Sequence, residues 1–309
     1  MNRKYIALII AFATIGLYYT LTPSNLHVSA IQIVHATEPS IVRTFEQPSI
    51  ITAALDSYYN KNSKKIEYNG FEFELKEHVS NLLKLDANYK GESFSTYLQT
   101  SEFRNDSSAL NWFYEFPTTY NPITRWNHYQ MGKELQMVMK KLLSTMGEHL
   151  SHNEHIYGFP IKEVMLTDTV LITTRLSTIS APTTNEIYQN VAVLEKYVAK
   201  YNKHILNNPM ITLINKSEGK HVTMIGLSID GVIPSNNDFA IKLMPPHGKM
   251  YITDITGGQA TIDKAYQSLH NYQVDSKNPM PALPFELLIT DRLKVSDTNQ
   301  WKTRIYFPV

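Results

Sequence analysis

The pattern that most constrains the fold is an order of strand, helix, strand and strand that occurs twice in the second half of the chain. The two helices carry similar apolar stripes at spacings of three and four residues. The stripes are Ile187, Val191, Leu194, Val198 and Tyr201 in the first copy and Ile262, Ala265, Tyr266, Leu269 and Tyr272 in the second. Because one βαββ unit cannot close a core alone, we expect the copies to pair about a pseudo-two-fold axis, with a cleft between them.

The bounds of both copies follow from the apolar pattern and the polar breaks around it. The first copy is predicted as a strand (Glu163–Ile179), a helix (Asn185–His204) and two strands (Met210–Ile214 and His221–Ile229). The second copy is predicted as a strand (Phe239–Thr256), a helix (Gln259–Gln273) and two strands (Phe285–Thr290 and Lys302–Pro308). The tandem repeat therefore predicts an α+β domain over residues 154–309.

Residues 26–153 predict a second α+β domain, in which a long helix follows an antiparallel sheet. The strands are predicted at His27–Val34, Lys65–Leu75, Tyr89–Gln99 and Ser108–Phe116, with a helix over Glu38–Leu55 that Pro48 interrupts. The segment Ile123–Leu150 has the apolar spacing of a long amphipathic helix. Since 309 residues exceed a typical single domain of about 100–200 residues, two domains are expected.

Residues 1–25 predict a single-pass membrane anchor or a signal peptide. Tyr5–Leu21 is an uncharged, largely apolar run of 17 residues, at the short end of what spans a bilayer. Arg3 and Lys4 precede it and would hold that end in the cytoplasm. The competing interpretation is cleavage after Val28-Ser29-Ala30, which satisfies the small-residue rule. Either interpretation places most of the chain outside the cytoplasm, tethered to the inner membrane or released from it.

Composition excludes several kinds of chemistry. The chain has 29 basic and 28 acidic residues, so its net charge of +1 gives no electrostatic argument for nucleic-acid binding. Cysteine is absent, which removes disulfides, thiolate metal sites and cysteine nucleophiles. His149, His152 and His155 predict a solvated helix end rather than a metal site, and Gly257-Gly258 predicts a tight turn rather than a phosphate loop. No cofactor and no metal are therefore expected.

The C-terminal half resembles the gyrase-inhibitor-like (GyrI-like) family, which includes effector-binding domains of transcription regulators. The residues that carry the resemblance are Glu195-Lys196-Tyr197-Val198, Pro209, the run from Gly248 through Tyr251 to Gly257, Ala265–Leu269, Pro284-Phe285-Glu286 and Trp301–Val309. The resemblance implies a small-molecule-binding domain. No helix-turn-helix precedes it, so regulation through DNA is disfavoured and no nucleic-acid partner is expected.

The preceding half more weakly resembles a START-like (SRPBCC, helix-grip) domain. Trp112-Phe113, Asn121-Pro122-Ile123 and Arg125-Trp126, followed by the long helix, carry this resemblance. It implies a helix that grips a curved antiparallel sheet around an apolar cavity. The segment between Leu55 and Phe71 is short for the family and lacks its usual tryptophan-rich loop, which predicts a reduced cavity.

Glu286 is the leading candidate for a ligand-binding residue, because it is the acid of an otherwise apolar strand and stands where the family's central acid falls. Aromatic residues are predicted to surround it, namely Tyr251, Tyr266, Phe285, Trp301, Tyr188 and Tyr197. Aromatic walls around an acid suit a small lipophilic or cationic ligand. These residues predict a non-catalytic sensor or scavenger of small molecules. Residues 1–25 add the prediction that it is anchored to a membrane.

Two alternatives remain open at this point. Some relatives in the gyrase-inhibitor-like family hydrolyse strained electrophiles, which implies Glu286 as a base with Tyr251 or Tyr266 as its partner. The family's usual tyrosine two positions after the acid is Leu288 here, which counts against that alternative. The other alternative is an envelope scaffold whose surfaces bind a protein partner.

Overall fold

The computed structural model describes residues 3–22, 24–167, 170–217, 220–245 and 247–309. The chain forms two compact units that divide between His152 and Asn153, called unit 1 and unit 2 below. Both consist of helices and a curled antiparallel sheet, and the described part of the chain contains seven α-helices. The predicted α+β class is confirmed.

Unit 1 contains a seven-stranded sheet in the order β1-β7-β6-β5-β4-β3-β2, with every neighbouring pair antiparallel. Its strands are β1 (His27–Val34), β2 (Tyr59–Asn60), β3 (Lys65–Tyr68), β4 (Phe71–Val79), β5 (Leu82–Tyr89), β6 (Glu92–Arg104) and β7 (Ser107–Glu115). Its helices are α1 (Arg3–Leu21), α2 (Glu38–Glu46), α3 (Pro48–Ala54) and α4 (Pro122–Leu150). Pro48 begins α3, a position where its missing N–H costs nothing, so the predicted break is confirmed.

Two of the predicted strands in unit 1 were wrong because each crosses a hairpin turn. Asn69 and Gly70 both have positive φ, of 50° and 79°, and they separate β3 from β4. Lys90 and Gly91 do the same between β5 and β6. Paired positive φ values are the geometry that lets a two-residue turn join twisted antiparallel strands. Gly70 and Gly91 therefore indicated a turn inside segments that were predicted as single strands.

The core of unit 1 lies between α4 and the sheet. The helix approaches β1 closely at two glycines, since a Cβ on Gly132 would stand 2.7 Å from Leu26 and one on Gly147 would stand 2.7 Å from Gln32. Fully buried side chains fill the space beneath the helix, among them Trp112, Leu110, Leu135, Val138, Met139 and Leu142. Unit 1 thus consists of a long helix packed on an antiparallel sheet.

The predicted membrane anchor is not supported by the structure. The segment forms α1, but among the described residues no helix is both long enough and apolar enough to cross a membrane. The C-terminal end of α1 contacts the N-terminal end of α4, where Tyr18 and Tyr19 donate to the carbonyl groups of Pro122 and Tyr120. The location of the chain relative to a membrane stays a prediction.

Arg125 on α4 accounts for much of this attachment, which gives the first testable prediction. Its guanidinium is buried, donates to the carbonyls of Tyr19 and Thr22 and lies 4.6 Å from the ring of Tyr19. A cation at a helix C-terminus satisfies free carbonyls and the helix dipole. Arg125→Gln should therefore speed amide exchange in the last turn of α1 by at least about tenfold, the equivalent of about 1.4 kcal/mol. Exchange mass spectrometry measures this, with the exposed Arg104→Gln as control; unchanged exchange in α1 would contradict the assignment.

Unit 2 contains an eight-stranded sheet in the order β12-β9-β11-β10-β14-β15-β13-β8. The first repeat consists of β9 (Val170–Thr178), α6 (Thr184–Lys200), β10 (Met210–Ser217) and β11 (Lys220–Ser228). The second consists of β13 (Lys249–Thr256), α7 (Gln259–Asp275), β14 (Phe285–Leu288) and β15 (Lys302–Pro308). The strand order of one repeat is the reverse of the other, and the two repeats meet where β10 pairs with β14.

Four further elements complete the described part of unit 2: α5 (Asn153–Tyr157), β8 (Lys162–Met165), β12 (Ala240–Leu243) and a 3-10 helix (Thr298–Gln300). The predicted strands Glu163–Ile179 and Phe239–Thr256 were each wrong in joining two strands. The strand that precedes each repeat pairs with the edge of the other repeat, since β8 pairs with β13 and β12 pairs with β9. Parts of both predictions, at residues 168–169 and 246, lie outside the described residues.

Candidate functional site

A cleft of about 860 Å³ lies on the face of the unit 2 sheet that carries α6 and α7. Its walls are the N-terminal end of α6, one side of α7 and the segment between β14 and β15, and its floor is the central strands. This volume lies within the range of about 300–1,000 Å³ that is typical of small-molecule sites. Residues of both repeats line this cleft.

Local sequence explains why both helices begin at the cleft. Thr183 caps α6 in a reciprocal arrangement, in which its hydroxyl accepts from the N–H of Glu186 and the Glu186 carboxylate accepts from the N–H of Thr183. Gly257 precedes α7 with φ of +149°, and a Cβ there would stand 2.5 Å from Thr261. The N–H of Gly257 donates to the carbonyl of Trp301, so the tight turn also positions that residue.

Glu286 forms part of the cleft floor, because side chains alternate along β14. Phe285 and Leu287 point to the opposite face of the sheet, where both belong to a separate apolar cluster. Glu286 is paired with Ile211 of β10, at the junction between the repeats, and is 9 % exposed. Burial raises the pKa of Glu286 above the usual glutamate value, and the charge of Asp263 on α7 adds to the increase, although Arg292 opposes it.

Arg292 is the partner of this buried acid, and the sequence did not predict it. Its Nη2 lies 3.4 Å from a carboxylate oxygen of Glu286 and donates to the hydroxyl of Thr303 on β15 at 2.8 Å. The guanidinium lies 4.6 Å from the ring of Trp301, and the residue is 8 % exposed. Tyr188 on α6 holds this loop through its hydroxyl, which accepts from the N–H of Arg292 at 3.0 Å.

Tyr266 and Trp301 complete the polar and aromatic part of the cleft wall. Burial raises the pKa of Tyr266 strongly and the charge of Glu286 adds to the increase, so its hydroxyl stays protonated and can donate. Among the described residues, that hydroxyl has no hydrogen-bond partner. Trp301 is fixed by its Nε1, which donates to the carbonyl of Val295 at 2.8 Å. Tyr266 therefore presents a donor to the cleft that no described side chain uses.

The structure places the remaining predicted residues elsewhere. Tyr251 is buried beneath α7 and packs edge-to-face on Tyr272, with ring centres 4.7 Å apart. Phe285 stacks on Tyr306 on the other face of the sheet. Tyr197 packs on Phe239, and its hydroxyl donates to the carbonyl of Pro234. Tyr251, Phe285 and Tyr197 therefore do not line the cleft, whereas Glu286, Tyr266 and Trp301 do and Tyr188 supports it through Arg292.

The other lining residues set the charge of the cleft. Asp263 and Glu286 contribute two carboxylates, and Arg292 contributes one guanidinium. His221 and His270 also line it. If both histidines are neutral, the cleft contains one more carboxylate than cationic side chains. In the described part of the chain, no three histidine or carboxylate side chains come together as metal ligands.

Comparison with known proteins finds solved structures with weak similarity. No protein-family model matches the sequence, and no curated protein matches it. A structure of EcmrR with DNA, in the complex named EcmrR-RPo, has a TM-score of 0.44 at 16 % identity and covers 62 % of this chain and 72 % of its own. The EcmrR C-terminal domain has a TM-score of 0.41 at 12 % identity, covering 48 % of this chain and 96 % of its own.

An uncharacterised conserved protein from Listeria innocua is also similar, with a TM-score of 0.37 at 8 % identity over 48 % of this chain and 91 % of its own. All three scores are below 0.5. The similarities assign neither a family nor a ligand to the chain.

Proposed function

We propose that unit 2 is a non-catalytic binding domain for a small, mainly apolar molecule that carries one positive charge. The observation that supports this most is the buried carboxylate of Glu286 on the floor of an 860 Å³ cleft. A buried carboxylate is costly to keep ionised, and Arg292 offsets this cost only in part, because the pKa of Glu286 remains raised. A ligand cation near Glu286 would supply the missing stabilisation.

The remaining cleft residues favour the same ligand. The carboxylate of Asp263 gives the cleft its second negative charge, so a single added cation balances the charges there. Trp301 and Tyr266 offer aromatic surface to an apolar body and to a cation. The free hydroxyl of Tyr266 offers a hydrogen bond to an acceptor on the same molecule.

The pairing of Glu286 with Arg292 favours binding over hydrolysis. A catalytic base must accept a proton from water or substrate, and Arg292 opposes the increase in the pKa of Glu286 that burial causes, so the paired carboxylate is a weaker base than it would be without Arg292. Tyr251, one of the two tyrosines considered as a partner for the base, lies outside the cleft. A sensor or scavenger therefore describes the site better than an enzyme does.

We also infer that unit 2 is a gyrase-inhibitor-like domain and that unit 1 is a START-like domain. The paired βαββ repeats support the first assignment, with a buried acid where the repeats join. The order of one strand, two helices, six strands and one long helix supports the second. A protein partner would then receive the signal of a bound ligand.

The test uses two ions of the same shape and opposite charge, tetraphenylphosphonium and tetraphenylborate. Calorimetric titration of the full chain should show binding of the cation and none of the anion at Glu286. Glu286→Gln removes the carboxylate charge and keeps its shape, and we expect it to weaken cation binding by more than about tenfold, or about 1.4 kcal/mol.

The matched control is Glu195→Gln, which removes an exposed carboxylate from α6 outside the cleft and should leave the affinity unchanged. Equal affinity of wild type and Glu286→Gln for the cation would remove Glu286 from the site. Equal binding of both ions would show that shape alone, and not charge, governs the cleft.

A further inference from the structure

We propose that the opposite face of the unit 2 sheet holds a second site, which binds an anionic amphiphile, meaning an apolar chain that ends in one carboxylate. A cavity of about 260 Å³ lies on this face, away from α6 and α7. Its volume exceeds the roughly 150 Å³ of an apolar cavity that holds benzene. The space is therefore sufficient for a short acyl chain. This site is independent of the one proposed around Glu286.

The sequence of the central strands creates the cavity. Gly226 lies near the C-terminal end of β11 and lines the cavity, opposite Thr173 of β9. A Cβ on Gly226 would stand 3.2 Å from the Thr173 side chain, so the missing side chain leaves space on the sheet surface. Flexible apolar side chains surround this space, among them Met210, Met224, Met244 and Leu283. Methionines adapt to apolar ligands of varied shape, which suits a flexible chain.

The charges at this cavity select an anion. Arg175 on β9 and Lys242 on β12 line it, and no aspartate or glutamate is among the described residues that do. Within the described residues, neither cation forms an ion pair or a hydrogen bond. In contrast, Arg304 on the same face is paired with Asp254 at 2.6 Å. The cavity thus combines an apolar interior with two cations that no described carboxylate neutralises.

The positions of the two cations fix the orientation of the ligand. Lys242 is paired with Leu171, and Arg175 lies four residues further along β9, about 13 Å away at the usual rise of a strand. They therefore stand at opposite ends of the cavity. Arg175 can hold a carboxylate through two parallel hydrogen bonds, which a lysine cannot do. We expect the carboxylate to lie at Arg175 and the chain to extend over Gly226 towards Met244.

Titration of the full chain with monomeric decanoate tests this proposal. The comparison of charges is made in Glu286→Gln, which weakens cation binding in the cleft. This variant should bind decanoate as the wild type does and should bind decyltrimethylammonium, which has the same chain and a positive charge, at least tenfold more weakly. Arg175→Gln should weaken decanoate binding by about tenfold. Arg304→Gln, on the same face but outside the cavity, should leave it unchanged. Arg175 is exposed, so its replacement is compatible with folding.

The two proposed sites are distinguished by their variants. Glu286→Gln should leave decanoate binding unchanged, and decanoate should bind equally well in the presence of tetraphenylphosphonium. Bound decanoate should slow amide exchange in β9 and β11. The proposal would be overturned by an absence of decanoate binding, by equal affinity for decanoate in Arg175→Gln, or by equal affinity of Glu286→Gln for decanoate and the cationic analogue.

Discussion

Replacing Arg292 with methionine should lower the free energy of unfolding of unit 2 by about 3–5 kcal/mol at pH 7. Methionine keeps much of the length of the side chain and removes its charge. Glu286 would then be left buried in the cleft floor without its partner. Thr303 would lose its donor and Trp301 its stacked cation in the same substitution. Denaturant unfolding, followed by a probe in unit 2, measures the change.

The pH dependence identifies the cause. In the wild type the pKa of Glu286 is raised, so the folded state favours the protonated acid and stability from this group is lost as pH rises through the raised pKa. Removing Arg292 raises the pKa further, which enlarges the penalty at neutral pH. Below the usual glutamate pKa of about 4.3 the acid is neutral in both proteins, and the difference between them should shrink.

The control for this prediction removes both charges together. Glu286→Leu combined with Arg292→Met should recover most of the lost stability, because replacing both members of a buried pair is far less costly than removing one. A loss in Arg292→Met that is equal at pH 4 and pH 7 would show that lost packing, and not the uncompensated carboxylate, is responsible.

Replacing Trp112 with alanine should destabilise unit 1 by about 3–5 kcal/mol. The side chain is 1 % exposed and lies edge-on to Phe73, with ring centres 5.0 Å apart. Its Nε1 donates to the hydroxyl of Thr96 at 2.9 Å, so the variant also leaves a buried hydroxyl without its donor. The cavity beneath α4 cannot collapse fully, because α4 already contacts β1 at Gly132.

Amide exchange in β6 and β7, together with denaturant unfolding, measures this loss. Trp126→Ala is the matched control, since Trp126 lies on α4 in the same unit but is 48 % exposed. The control should change the stability by less than about 1 kcal/mol. Similar losses in both variants would contradict the assignment of Trp112 to the core.

The helices were predictable from the sequence because their apolar periodicity is local. The predicted segments Ile123–Leu150 and Gln259–Gln273 differ from α4 and α7 by two residues or fewer at each end. The strands were less predictable, because turns with positive φ divide segments whose apolar pattern looks continuous in the sequence. The pairing of β8 with β13 and of β12 with β9 depends on contacts distant in sequence, which no local pattern encodes.

In the candidate site, too, some residues were predictable from the sequence and others were not. Glu286 stood out as a single acid in an apolar strand, whereas Arg292 lies in a loop between Asp291 and Lys294 that reads as a solvated charge cluster. The need of a buried acid for a partner was the signal that could have found it. The prediction of Phe285 beside Glu286 also conflicted with alternation, because adjacent strand residues face opposite sides.

The junction between the repeats has a mechanical consequence. β10 pairs with β14 over two described positions, whereas β9 and β11 pair over eight. The bending stiffness of the sheet is therefore lowest along this line, which runs beneath the cleft and through Glu286. A ligand that bridges the two repeats would act as a brace across the most compliant line of the sheet. Under the proposed binding function, the angle between the repeats, rather than any single side chain, would be the quantity that reports occupancy of the cleft.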